Sequence, residues 1–414
     1  MNESWFQAYV LLAFRLDKLL RMAAADSLLV DYYYGPVVWK AQVEAEPPTP
    51  ASVLLQHAEE LREVLAHLDL EPQRATFLSK QVRALRTICQ RLGGQSFSLA
   101  DELRLCFDLS VPPARTPETT FERIWAQAEE TLPGTGDILK REAAIEQRLA
   151  LPLEHSEQMV NFAHQALAET RRRTQTFVDL PPKESVIVQT VRGQKWRANN
   201  QYQGHFHSRI DINLDIFTSF RDFLPFACHE GYPGHHTELA LKEQRLFRDQ
   251  GHLEQAIGLL ISPQAVISEG LATLAPELLF TPEEQQRWLV EQILPQAGVK
   301  LTPEEIRWTS PVASLWMNVR RNAVLLLRAG EAEKEVKNYL KHYLHINSRQ
   351  AEQALTYFQR PFHESYIFTY TAGETMMRPW LQGADRFSVF ARFLTEPLTP
   401  SVLSEQEDAS RSPR

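Results

Sequence analysis

Apolar residues recur every three to four positions along most of the 414-residue chain, the spacing of helices that bury one face. In residues 52–70, Leu54, Leu55, Leu61, Leu65 and Leu68 fall near one stripe. Residues 74–92 repeat the pattern and stop at Gly93-Gly94, a helix-ending signal. Thr281 and Thr302 each open a helix: each is followed by Pro, and each has Glu three residues later, so hydroxyl and carboxylate can satisfy the first free amides. Residues 313–328 and 331–345 predict two further helices broken at Gly330. The N-terminal stretch from Met1 to Ser27 also reads as an amphipathic helix. Glu3 precedes its apolar part and Gln7 interrupts it, unlike the basic start of a secretory leader, although MAAADS keeps a leader as the alternative reading.

Strand signals are few. Residues 185–190 (SVIVQT) are short and β-branched. Residues 201–215 alternate, with Phe206, Ser208, Ile210, Ile212 and Leu214 on one side. The expected fold class is therefore mainly α with a small antiparallel β-sheet. The Pro-rich runs EAEPPTPAS and SVPPARTPETT mark loops. They suggest an N-terminal helical region over residues 1–109 and a larger catalytic region over 116–393. The polar, Pro- and Ser-rich residues 396–414 read as a disordered tail.

Composition narrows the function. A net charge of −8 without a long basic run argues against nucleic-acid binding. The three cysteines, Cys89, Cys106 and Cys228, are too few and too scattered for a disulfide framework or a cysteine zinc site, which points to a reducing, cytoplasmic setting. No window reaches the ~20 apolar residues that span a bilayer, so no membrane partner is expected.

The chemistry concentrates in CHEGYPGHHTE, residues 228–238, which holds His229, Glu230, His235, His236 and Glu238 around Pro233-Gly234. Metallopeptidases often carry H-E-x-x-H on one helix face, with the Glu as general base; here Pro233 stands where the second His would be. A straight helix turns ~100° and rises ~1.5 Å per residue, so His229 and His235 would lie ~600° apart, and His229 and His236 ~10.5 Å apart. Zinc–nitrogen bonds of ~2.0–2.1 Å need the ligand atoms within about 4 Å of each other. Only a broken helix brings the rings together. Pro233 removes a helical hydrogen bond and Gly234 permits the bend. These residues alone leave His235 and His236 both open as the second ligand. Cys228 adjoins His229 but points ~100° away on a helix, which favours a buried structural role.

A third ligand should come from elsewhere in the chain. Glu269 lies in a helix opening at Ser262-Pro263, among the small residues Ser268, Gly270, Ala272 and Thr273; from its surroundings it is equally a ligand or an ordinary helix carboxylate. Tyr366 and Tyr370, four apart in RPFHESYIFTYTAGETMM, are either oxyanion donors or part of an aromatic stripe with Phe362 and Phe368.

HEGYPGHH, the later EGLA and YIFTYTAGE resemble, in order, the signatures of the bacterial family called domain of unknown function 885, whose members are similar to gluzincin-type zinc metallopeptidases. VDYYYGPVVW (residues 30–39) is similar to the start of some members. The resemblance is strongest from about Tyr202 to Met377. It implies a largely helical metallopeptidase-like architecture holding one Zn2+ per chain, with His229, His235 and Glu269 as ligands, Glu230 as base and Tyr370 as transition-state donor. Departures after Glu269-Gly270, where many members carry Trp, bear on substrate identity. The expected activity is hydrolysis of a peptide or small amide, with the strand over residues 206–214 holding an extended substrate by edge pairing. The alternatives are a non-peptide amide or ester hydrolase, and a non-enzymatic helical scaffold that retains the metal site.

Overall fold

The computed structural model describes residues 2–25, 27–110, 114–151, 156–194, 196–216, 219–307 and 312–411. The periodicities became helices where expected. Asn2–Ala23 buries Phe6, Val10, Leu12 and Leu16, while Pro72–Leu92 ends on Gly93. Thr281 closes a reciprocal capping box with Glu284, and Thr302 does the same with Glu305. The fold is mainly α with small sheets, as anticipated.

A small antiparallel sheet forms as expected, and a second sheet of mixed direction accompanies it. A two-stranded antiparallel sheet pairs β1 (Val30–Tyr33) with β5 (Ile257–Leu259). The remaining strands are β2 (Ser185–Val191), β3 (Ala198–Gly204) and β4 (His207–Asn213), ordered β2-β4-β3. β3 and β4 form an antiparallel hairpin, whereas β2 joins β4 in parallel. The alternating stretch over residues 201–215 is thus two strands. The chain turns at Gly204, His205 and Phe206, all left-handed at φ 75°, 54° and 66°. Glu243 holds this unusual turn by accepting the amides of His205 at 3.0 Å and Phe206 at 3.3 Å and the Tyr202 hydroxyl at 2.5 Å. β4 is the central strand and has no free edge. β2 and β3 are the edge strands of this sheet, and β3 lines the main cleft, so residues 207–213 offer no edge to an extended chain.

The division at residues 109–116 does not separate two cores. One apolar cluster joins Trp5, Leu54, Leu85 and Phe107 to Val319, Leu340, Phe358 and Phe368. The striped N-terminal helices find their apolar partner in residues 315–368, far along the chain. A second cluster gathers Phe162, Ile210, Phe223, Leu274 and Phe393. Pro263–Leu279 runs between them, giving Val266 to the first and Ile267 and Leu271 to the second.

The tail expectation is corrected. Pro400–Arg411 is helical, with Leu398, Thr399 and Leu403 buried. Lys80 donates to Thr399 Oγ1 at 2.8 Å, and the amide and hydroxyl of Ser401 donate to Asp108 at 3.0 and 2.8 Å. Polar composition concealed these anchors because their partners lie some 300 residues earlier in the sequence. Residues 412–414 lie outside the described residues. Among the described residues no helix is long and apolar enough to cross a membrane.

Candidate metal centre

The motif helix breaks where its two poorest helix formers stand. Ala227–Gly231 forms one wide turn, closed by the Tyr232 amide on the Ala227 carbonyl at 2.9 Å. Tyr232 is extended, and the next helix, His235–Lys242, begins at once. Gly234 is packed against backbone: a Cβ there would stand 1.9 Å from the His229 carbonyl oxygen and 2.4 Å from that of Cys228. The break brings the His229 and His235 rings to 4.8 Å between centroids, nearly perpendicular.

Glu269 completes the set from the Pro263–Leu279 helix. Its Oε2 lies 3.5 Å from His229 Nε2 and 3.8 Å from His235 Nε2, and one ligand atom from each of the three residues lies within 4.8 Å of the others. Tetrahedral zinc with ~2.0–2.1 Å bonds separates its ligand atoms by about 3.3 Å. Glu269 is buried; its Oε1 accepts the Tyr366 hydroxyl at 2.7 Å, while its Oε2 has no hydrogen-bond partner. An orphaned buried carboxylate oxygen facing two imidazole nitrogens fits a divalent cation. Burial raises the Glu269 pKa, yet His229, His235 and Tyr366 outweigh it and leave the carboxyl below its ordinary value. Burial lowers the His229 pKa, but the Glu269 and Glu230 carboxylates more than reverse that.

Two glycines set the depth of Glu269. The Pro263–Leu279 helix meets His363–Met377 backbone to backbone: a Cβ on Gly270 would lie 2.6 Å from the Gly373 carbonyl carbon, and one on Gly373 2.2 Å from the Val266 oxygen. This approach carries Tyr366 onto Glu269 and leaves Tyr370 on the cleft wall, its ring perpendicular to that of Tyr366 at 5.8 Å. Burial, then the charge of Glu269, raises both hydroxyls well above the usual tyrosine range, so both are held as neutral donors. Glu230 is half-buried and lines the same cleft of about 1100 Å³, with Asp31, Asn200 and Gln201 nearby on the wall.

His236 lies outside this cluster. It is fully buried, with Nδ1 on Ser208 Oγ at 2.8 Å and Nε2 on Glu184 at 2.9 Å. Glu184 also accepts from Tyr232 and from Arg171 Nε, the latter at 2.6 Å. Thus the second imidazole of the pair ties the motif to the sheet. Burial raises the Glu184 pKa, but His236, Tyr232 and Arg171 outweigh it and hold the carboxyl at about 2 against an ordinary 4.5. A depressed carboxyl stabilises the fold above its unfolded value, and that contribution fades as pH falls from 4.5 towards 2. Glu184→Gln should therefore cost about 3 kcal/mol near neutrality, and denaturant unfolding of variant and wild type should converge as the solution is acidified.

Cys228 is fully buried and burial pushes its thiol pKa up, consistent with a structural role. All five site residues expected from the sequence, His229, Glu230, His235, Glu269 and Tyr370, face one cleft. Ser268 and Glu238 were not assigned roles in advance. Their signal was spacing: Ser268 immediately precedes Glu269, and Glu238 lies one turn after His235.

No protein-family model matches the chain, and no curated protein matches it. Its fold is similar to a crystal structure from Colwellia psychrerythraea described provisionally as a lipoprotein, with a TM-score of 0.51 and 15% identity over 97% of this chain and 74% of that one. A likeness at that identity supports the architecture alone.

Proposed function

We propose that this protein is a metal-dependent hydrolase of amide bonds, with peptides as the first substrate class, and that His229, His235 and Glu269 hold a single zinc ion. The observation that carries the reading is the buried Glu269 Oε2, without a hydrogen bond, facing two imidazole Nε2 atoms at 3.5 and 3.8 Å. The order of HEGYPGHH, EGLA and YIFTYTAGE, similar to that of the domain of unknown function 885 family, supports it.

A zinc ion bound by these three residues would supply Lewis acidity, polarising a carbonyl and acidifying water. The protein's own groups do the rest. Glu230 follows His229 on the same wide turn, and its side chain reaches the cleft, where it takes a proton from attacking water and returns it to the leaving amine. Tyr366 is committed to Glu269, so Tyr370 is the hydroxyl left to donate to the developing oxyanion. The open edge of β3, including Asn199–Gln201, offers backbone groups to an extended chain along the cleft wall.

Elemental analysis of the purified protein after zinc reconstitution, combined with a panel of peptides, small amides and esters, tests the reading. One zinc per chain, absent from His229→Ala, together with chelator-sensitive peptide cleavage is the expected result. Cleavage confined to esters would move the substrate class. Zinc uptake without any hydrolysis, with a melting point lowered by chelation, would support a structural metal instead. No zinc uptake would end the proposal.

A further inference from the structure

We propose that Ser268, Glu238 and Lys242 form an outer hydrogen-bonded relay that locks the tautomer and orientation of His235, leaving its Nε2 bare toward the metal position. This deepens the metal-site reading above and rests on it.

The chain of contacts is short and directional. His235 Nδ1 lies 3.1 Å from Ser268 Oγ; Ser268 Oγ lies 2.5 Å from Glu238 Oε2; and Lys242 Nζ lies 2.5 Å from Glu238 Oε1. A serine hydroxyl has one proton. The close carboxylate is the stronger acceptor, so that proton goes to Glu238. The free lone pair of Ser268 Oγ then accepts from His235 Nδ1–H. An imidazole protonated on Nδ1 has its lone pair on Nε2, the atom that faces Glu269 Oε2 at 3.8 Å.

Lys242 settles the charge. Glu238 and Lys242 are both buried, with side chains 1% and 3% exposed, and a lone buried carboxylate would be costly. The ammonium donates to Glu238 Oε1 and balances the carboxylate's charge, leaving Oε2 to accept from Ser268. The relay uses two helices economically. His235, Glu238 and Lys242 lie three and four residues apart on one helix, while Ser268 and Glu269 are adjacent on the other. The helix that delivers the third ligand thus also delivers the hydroxyl that orients the second. Ser268, Glu238 and Lys242 are positioning residues: none of them is among the three residues whose ligand atoms converge.

Zinc affinity of the full-length protein, measured by competition with a chromophoric chelator, reads this directly. Ser268→Ala should weaken zinc binding about 10–100-fold, the usual cost of losing a ligand's outer partner, and Ser268→Thr, which keeps the hydroxyl, should restore it. Glu238→Gln should also weaken it, because an amide nitrogen facing Ser268 turns the hydroxyl proton toward His235 Nδ1 and displaces the Nδ1–H tautomer. Wild-type affinity in Ser268→Ala would overturn the relay while leaving the metal site intact. Failure of the wild type itself to bind zinc would overturn the underlying reading instead. If Ser268→Ala does not fold, 15N spectra of histidine-labelled wild-type protein decide: a His235 ring protonated on Nε2 rather than Nδ1 in the metal-free state would refute the relay.

Discussion

Glu230→Gln should keep one zinc per chain and lose about 10²–10⁴-fold in peptide hydrolysis, the usual worth of a positioned general base. Gln has nearly the same shape but cannot take up the proton. The backbone at residue 230 is anchored independently of its side chain, because Asn200 Nδ2 donates to the Glu230 carbonyl at 2.6 Å. The wide turn that places His229 should therefore persist. The informative comparison is with His229→Ala, which should lose zinc and activity together. Metal content by elemental analysis and turnover on one peptide substrate separate the two variants. Undiminished turnover in Glu230→Gln would remove this carboxylate from the chemistry without touching the case for the metal.

Gly234→Ala should cost at least about 3 kcal/mol of stability and abolish zinc binding, since overlap with fixed backbone cannot be relieved by a rotamer change. The added Cβ would fall 1.9 Å from the His229 oxygen and 2.4 Å from the Cys228 oxygen. Both are main-chain atoms of the wide turn. Relief requires the turn and the His235–Lys242 helix to separate, which moves the two imidazoles apart. Denaturant unfolding and zinc stoichiometry measure the two consequences. A stable variant with wild-type zinc content would mean that this contact does not set the distance between His229 and His235.

Much of the architecture was legible because its causes are local. The stripes over residues 52–70 and 74–92, the Thr281 and Thr302 caps and the break at Pro233-Gly234 each rest on neighbours within a turn or two. Other features were misread for one reason. The hairpin turn at residues 204–206 carried a single Gly as its signal, and the carboxylate that holds it, Glu243, comes some forty residues later. The Pro400–Arg411 helix looked like a polar tail because its fastening to Asp108 and Lys80 crosses almost the whole chain. The parallel placement of β2 depends on β4 being covered on both edges, which alternation in one stretch does not encode.

The candidate metal centre divides along the same line. The sequence by itself determined that three imidazoles and two carboxylates crowd around a helix break, because composition and backbone chemistry act over a few residues. Which imidazole turns inward was decided only by the tertiary structure: Glu184 and Ser208 capture His236, and Ser268 takes His235. The same holds for Glu269, which becomes a candidate ligand because Gly270 and Gly373 let two distant helices touch backbone to backbone. A carboxylate takes its character from what surrounds it in space, and for Glu269 those surroundings are assembled from segments that meet only when the chain is folded.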